Sequence, residues 1–241
     1  MLQRVMYTLC LITAGYSIKA QDISADTSFV RAAYTNAVSL YYQFTDKQAR
    51  LYNGIEHLGY PSSYIGHAYF LTNELQKGNL VYDGLAFKDV PMLYDMYKDE
   101  LIILHFNNYT KIALLNEKLQ TFLLNGHQFV YLVRDSLRVP LATGIYDKLY
   151  SGSTTAFVKR SKIVEERVTD HIEREFTEHS SYYIVKDGTY HSIKTYKGLL
   201  SVFKDRSREI RQYLRKNDIK FRKNPEAAIV NAATYYDAPK K

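Results

Sequence analysis

The sequence predicts an α+β protein: an N-terminal helix, a central antiparallel β-meander or roll, and C-terminal helices packed against the sheet. Residues 80–134 alternate short apolar runs with turn signals, and pairs such as Asp83-Gly84 and Asn125-Gly126 readily adopt the positive φ that tight hairpins need. Residues 195–237 instead repeat apolar positions at helical spacing. We expect one α+β domain over residues 21–241, with a helix at 28–43, a β-rich region at 49–194 and a helical region at 195–237.

The first twenty residues have the pattern of a secretory signal peptide. Arg4 supplies a positive charge, residues 5–18 are mostly apolar, and Ala20 precedes a polar stretch. This apolar stretch is shorter than the roughly 20 residues of a membrane helix, and no later segment reaches that length. We therefore expect cleavage after Ala20, export to the periplasm or outer envelope, and no transmembrane segment in the mature chain.

The composition bounds the chemistry of this mature chain. Cys10 is the only cysteine and lies within the predicted signal, so we expect no disulfide, thiol nucleophile or cysteine-bound metal. The formal charge is +7, and 30 basic against 25 acidic residues from residue 21 onward leave +5. That excess permits contact with anionic envelope surfaces. The 23 tyrosines and 11 phenylalanines, without tryptophan, suit half-buried sheet faces or a binding surface.

The N-terminal helix is predicted from its apolar repeat. Phe29, Ala33 and Ala37 recur at helical spacing, and Thr27 or Ser28 is the expected cap.

Three further signals organise the rest of the chain. Residues 159–175 carry five basic and five acidic side chains, a balance that fits either a long polar hairpin or an exposed helix. Asp187-Gly188 is the clearest hairpin turn. Thr195 and Asn224 are expected helix caps, and the proline after Asn224 suits the first helical position.

Catalytic motifs are missing from the sequence. It contains no G-x-S-x-G elbow, phosphate-binding loop, dinucleotide fingerprint or H-E-x-x-H pair. We therefore predict no catalytic residue and no cofactor. Asp83, Asp95, Asp99 and Glu100 lie near one another in the sequence and could converge as the paired acids of a hydrolase. Asp83-Gly84 and Lys98-Asp99 occupy predicted turns, where aspartate is common for local reasons, so turn chemistry explains these carboxylates without catalysis.

One spacing suggests a metal site. On a helix, His171, Glu175 and His179 would fall at i, i+4 and i+8 on one face and could bind zinc. A solvated charged face explains the same spacing, and we therefore predict no metal site and keep these three residues only as candidates.

Residues 204–223 form the most basic segment, with nine basic and three acidic side chains. This charge predicts docking to an anionic surface or polysaccharide, or a place in an envelope complex; nucleic acid is not expected for an exported protein. The alternative is a solvent-facing helix surface. The residues predicted to contact an anionic partner, which we call the basic patch, are Arg208, Arg211, Arg215, Lys216, Lys220, Arg222 and Lys223.

Short motifs along most of the mature chain resemble a family of exported proteins from Bacteroidetes-type bacteria. The motifs are LYNG at 51–54, VYDG at 81–84, VP at 90–91, LYD at 93–95, YYI at 182–184, KDG at 186–188, IRQYLRKN at 210–217, FRK at 221–223 and YYD at 235–237. That family has no assigned activity, so the resemblance implies export and one integrated domain, and no catalytic residue.

Together these observations predict an exported, non-catalytic envelope protein that works by binding or scaffolding. Two alternatives remain open: a carbohydrate-active or other hydrolase whose carboxylates converge in the β-roll, and a peripheral binder of anionic membranes through its basic C-terminal helix.

Overall fold

The computed structural model describes residues 27–44, 50–134, 140–168 and 172–239. It confirms a mixed α+β class with a β-rich core, at 27% helix and 45% strand. The strands are β1 Gly54–Glu56, β2 Tyr64–Ile65, β3 Gln76–Tyr82, β4 Leu85–Asp95, β5 Glu100–Leu104, β6 Lys111–Leu114, β7 Leu119–Leu124, β8 His127–Leu132, β9 Gly144–Ser151, β10 Thr155–Val168, β11 Ile172–Lys186 and β12 Thr189–Ile193. The helices are α1 Thr27–Phe44, α2 Tyr196–Val202, α3 Ser207–Lys216 and α4 Pro225–Asp237.

Across the described ranges, all twelve strands belong to one sheet. Its order is β1-β6-β5-β4-β3-β7-β8-β9-β10-β11-β12, with antiparallel neighbours throughout, and β2 adds a short parallel pairing to β11. The predicted hairpin turns are confirmed. Asp83, Asn125 and Asp187 each have a φ near +50° and are each followed by a glycine with positive φ. Tight hairpins require this left-handed conformation, and aspartate, asparagine and glycine adopt it most readily.

The described parts of the charged segment, residues 159–168 and 172–175, lie on the two paired strands of a polar hairpin, one of the two predicted structures. Strands β10 and β11 pair continuously from Thr155 opposite Val185 to Val168 opposite Ile172. Its outer end carries cross-strand ion pairs, including Arg174 with Glu166 at 2.8 Å. Glu166 lies opposite Arg174 and Arg167 lies opposite Glu173, and such opposite-charge pairs across two strands favour this register.

The sheet curls so that β10 returns to the end of β4. The backbone N–H of Lys162 donates to the carbonyl of Met96 at 3.0 Å. The ammonium of the same lysine donates to the carbonyls of His67 and Tyr69. The curl encloses a core of large apolar side chains from β3, β4, β5, β7 and β8, including Tyr82, Met92, Tyr94, Ile103, Phe122 and Phe129.

Asp99, in the turn between β4 and β5, holds this curl closed. Its carboxylate accepts hydrogen bonds from the hydroxyl of Tyr94 at 2.8 Å, the backbone N–H of Ile145 at 3.2 Å and the ammonium of Lys159. The Lys159 side chain is only 19% exposed. Burial lowers the pKa of Lys159, and the neighbouring Asp99 charge opposes that shift.

The C-terminal helices form a second core with the far end of the sheet. The predicted caps are confirmed: the Thr195 hydroxyl accepts from the N–H of Gly198, and the Asn224 side chain accepts from the N–H of Ala227. The buried side chains of this second core are Ala156, Ile184, Ile193, Leu199, Leu200, Val202, Phe203, Ile210, Leu214, Ala228, Ile229, Ala232 and Ala233.

Two polar anchors attach α4 to the sheet. At its start, Arg160 of β10 donates to both carboxylate oxygens of Glu226 at 2.9 Å and to Asp147 of β9 at 2.8 and 2.9 Å. At its end, Asp237 accepts from Ser153 and from the backbone N–H of Thr154 in the turn between β9 and β10. The helix is therefore fixed at both ends.

The Asp99 interaction gives a stability prediction. Asp99→Asn keeps a residue that tolerates the left-handed turn but removes the charge that faces the buried Lys159 ammonium. We expect it to lower the free energy of unfolding by about 1–3 kcal/mol in urea titrations. The matched control is Glu166→Gln, which breaks an exposed ion pair and is expected to lose less than about 0.5 kcal/mol. Equal losses in the two variants would contradict this role for Asp99.

The Asp237 anchor gives a pH prediction. Burial raises the pKa of the Asp237 carboxyl, but hydrogen bonds from Ser153, Thr154 and Tyr150 outweigh it and hold the pKa below its ordinary value of 3.8. Because the folded pKa is depressed, the carboxylate stabilises the fold above pH 3.8, and this stabilisation is lost as the pH falls through the folded pKa.

We therefore expect Asp237→Asn to be about 1 kcal/mol less stable than the parent at pH 7. The difference should shrink in urea titrations at successively lower pH. A difference that stays constant into the acid range would show that the carboxylate charge does not contribute.

Candidate anion-binding cleft

An open cleft of about 700 Å³ lies between the start of α2, the second half of α3 and the segment that links α3 to α4. Its volume falls within the ~300–1,000 Å³ typical of small-ligand sites. The lining residues are Tyr196, Arg211, Leu214, Arg215, Asp218, Ile219, Lys220, Phe221 and Arg222.

The floor of the cleft is apolar. Leu214 is 1% exposed, whereas Tyr196, Ile219 and Phe221 are half-buried and pack against the second core. The rings of Tyr196 and Phe221 lie 6.5 Å apart, tilted by 43°. Because these side chains are held by the buried helices beneath them, the floor does not depend on a ligand for its position.

The end of α3 builds this floor through a Schellman motif. Asp218 takes the left-handed conformation, with a φ of +51°. The N–H of Ile219 donates to the carbonyl of Leu214 at 2.9 Å, and the N–H of Asp218 donates to that of Arg215 at 3.1 Å. In this motif the residues at the two ends of the longer hydrogen bond also make an apolar contact. Leu214 and Ile219 occupy those positions and both line the cleft.

The rim of the cleft is basic because of two local periodicities. Arg211 and Arg215 are four residues apart on α3, so they project from one side of the helix. After the helix ends, Lys220 and Arg222 alternate with the half-buried Ile219 and Phe221. All four basic side chains are exposed.

Positive charge at the rim exceeds negative charge. Asp218 is the one acidic lining residue, and its carboxylate lies 3.0 Å from the Lys220 ammonium. In the part of the chain that the structure describes, no carboxylate forms an ion pair with Arg211, Arg215 or Arg222. Four cations against one carboxylate leave the lining with a net charge of +3.

The structure divides the basic patch. Arg211, Arg215, Lys220 and Arg222 line the cleft, whereas Arg208, Lys216 and Lys223 are exposed outside it. Sequence reasoning missed the apolar half of the site: Tyr196, Ile219 and Phe221. The alternation of apolar and basic residues over 219–222 was the available signal, because it predicts a segment with one apolar and one charged side.

Two of the three residues suggested for zinc lie on a strand and not on a helix. Glu175 and His179 lie on strand β11, and His171 lies outside the described residues. Four residues along a strand span about 13 Å, so the helical spacing on which the metal site depended does not apply to this pair. Glu175 lies 3.4 Å from Arg167. Among the described residues, no group of three or more His, Cys, Asp or Glu side chains is close enough to hold a metal ion.

Three of the four carboxylates considered for a hydrolase, Asp83, Asp95 and Asp99, have hydrogen-bond or ion-pair partners within the fold. Asp95 is fully buried, accepts from the backbone N–H groups of Tyr97 and Lys98, and also accepts from the Tyr60 hydroxyl. Glu100 lies directly opposite Asp95 across the hairpin, and burial raises the pKa of Glu100. Asp99 closes the curl of the sheet, and Asp83 pairs with Arg50 at 3.3 Å.

Comparisons of the chain with protein-family models, with curated proteins and with solved structures found no match. The resemblance to exported bacterial proteins therefore stays a prediction. None of the helices in the described ranges combines the length and the apolarity needed to cross a lipid bilayer.

Proposed function

We propose that the protein is exported to the cell envelope, where it acts by binding or scaffolding and docks an anionic partner in the cleft. This proposal depends mainly on Arg211, Arg215 and Arg222, which surround the apolar floor of the cleft. Among the residues that the structure describes, none of these three arginines forms an ion pair with a carboxylate. Like charges held near one another repel, and an anionic partner removes that repulsion.

The apolar floor favours a binding site over a solvated helix surface. Charged residues on an ordinary exposed helix face lie over polar surface, and water alone satisfies them. Here the half-buried side chains of Ile219 and Phe221 face the same cleft as the arginines. A partner that covers these side chains gains apolar burial in addition to charge pairing.

Part of the positive charge also has a structural role. Arg215 and Lys216 occupy the last turn of α3, where cations stabilise the negative end of the helix dipole. A test of binding must therefore separate lost affinity from lost stability. Arg222 lies outside α3, so replacing it can lower affinity without removing a charge that stabilises the end of the helix.

The hydrolase alternative has less support. Paired catalytic carboxylates must both reach the substrate. Asp95 is fully buried, and its hydrogen bonds stabilise the turn that follows β4. Peripheral attachment to an anionic membrane would use the same basic side chains as the proposed function. The two differ only in whether the bound anion belongs to a membrane lipid or to another partner.

Retention on dextran sulfate tests anion docking. We expect a triple variant, Arg211→Gln, Arg215→Gln and Arg222→Gln, to bind this polyanion about tenfold more weakly or worse, because it loses three charge-assisted contacts. The matched control replaces Arg208, Lys216 and Lys223 with glutamine, which removes the same charge from the same segment outside the cleft. If both triple variants bind dextran sulfate equally weakly, net charge alone explains the loss, and docking in the cleft is contradicted.

Cell fractionation tests export. We expect the protein expressed with its first twenty residues to accumulate in the envelope fraction, with Gln21 as its N-terminal residue by mass spectrometry of the N-terminal peptide. A chain recovered from the cytoplasm with Met1 still present would contradict the proposal.

A further inference from the structure

We propose that the cleft holds one amphiphilic phosphate, with the phosphate at the arginine rim and an apolar chain along the floor. This inference rests on the proposed function and names the ligand class for the same site. It follows from two features found together: uncompensated positive charge and an apolar surface.

The rim fits a phosphate better than a carboxylate. Guanidinium groups present a planar fork of donors that matches phosphate oxygens and often binds them in bidentate fashion. Arg211 and Arg215 approach from α3, and Arg222 approaches from the segment that follows it. A phosphate monoester carries a charge of about −1.5 to −2 at neutral pH, closer to the net +3 of the lining than a carboxylate is.

The floor requires an apolar group in the ligand. Leu214, Ile219, Phe221 and the ring of Tyr196 supply the surface between the charged side chains. Inorganic phosphate would leave this surface in water, and an uncharged lipid would leave the arginines unpaired. Only a ligand with both parts satisfies the whole cleft.

The lining suits an amphiphilic phosphate better than an anionic polysaccharide. Sugar hydroxyl groups need acceptors as well as donors, and asparagine, aspartate and glutamate side chains usually supply them. Asp218 is the one carboxylate in the lining, and it already lies 3.0 Å from Lys220. Arginine side chains cannot accept hydrogen bonds.

Isothermal titration calorimetry with decyl phosphate, below its micelle concentration, tests the inference. We expect one ligand per chain. Octyl phosphate should bind about fifteenfold more weakly, since it lacks two methylenes and each buried methylene contributes about fourfold to affinity. Inorganic phosphate and uncharged decyl maltoside should each bind about a hundredfold more weakly than decyl phosphate or show no heat. Affinity that does not change with chain length would overturn the inference.

Four single variants test separately the contacts to the apolar chain and to the phosphate of the ligand. Two of them change the floor of the cleft, one changes the rim, and one changes an exposed lysine outside the cleft. Phe221→Ser removes a ring from the floor. Ile219→Thr keeps the branched shape of the side chain but makes it polar, so the test can still be made if Phe221→Ser does not fold. Both should weaken decyl phosphate severalfold and leave dextran sulfate retention unchanged. Arg222→Gln should weaken decyl phosphate about tenfold, and Lys216→Gln, outside the cleft, should have no effect.

These measurements distinguish the two proposals. Retention of dextran sulfate by the cleft without decyl phosphate binding overturns the amphiphile and leaves the proposed function standing. Retention that is insensitive to the three cleft arginines overturns the proposed function itself.

Phosphatidylcholine vesicles doped with phosphatidic acid, whose headgroup is a phosphate monoester, identify the source of the phosphate. Binding to these vesicles that weakens in Ile219→Thr and Phe221→Ser supports a membrane lipid as ligand. Binding to monomeric decyl phosphate alone supports a free amphiphile, and binding to neither overturns the inference.

Discussion

Arg160 is the side chain on which the relation between the sheet and the C-terminal helices depends. It is 7% exposed and lies 5.5 Å from the ring of Phe70, at the boundary between the two cores. A buried charge without partners is strongly destabilising, so Arg160 requires the carboxylates of Asp147 and Glu226. The ring nitrogen Nδ1 of His127 lies 2.7 Å from the same Asp147 carboxylate. Because Glu226 is in the first turn of α4, this pairing fixes the chain just beyond the cleft.

The cleft is a consequence of how α3 ends and α4 begins. The Schellman motif turns the chain back at Asp218, and the Asn224 cap starts the next helix only six residues later. The short link between them must cover part of the second core, so its apolar residues face inward. Its basic residues are left at the rim beside Arg211 and Arg215. The same backbone geometry therefore produces both the apolar floor and the surrounding charge.

Features set by neighbouring residues were predictable, and features set by distant ones were not. The Asp-Gly and Asn-Gly turns and the two helix caps were correct because the atoms involved lie within a few residues of one another. Asp99 was correctly placed in a turn, but its bonds to Ile145 and Lys159 span 46 and 60 residues. The prediction for Glu175 and His179 was wrong because it assumed a helix. Residues four apart are neighbours on one face of a helix, but they lie much farther apart on a strand.

The amino-acid order alone was enough to predict the α+β class, the polar hairpin as one of two alternatives, the starts of α2 and α4 and the basic segment, whereas Thr27 and Ser28, the expected caps of the first helix, lie inside α1. These depend on turn chemistry, capping and local charge, which neighbouring residues supply. Tertiary packing decided which basic residues share a site and what lies between them. Tyr196 lies fifteen residues before Arg211, and packing of α2 and α3 on the second core brings the two residues to one cleft. A cleft forms only where separate elements meet, so its apolar floor depends on contacts that no single stretch of sequence contains.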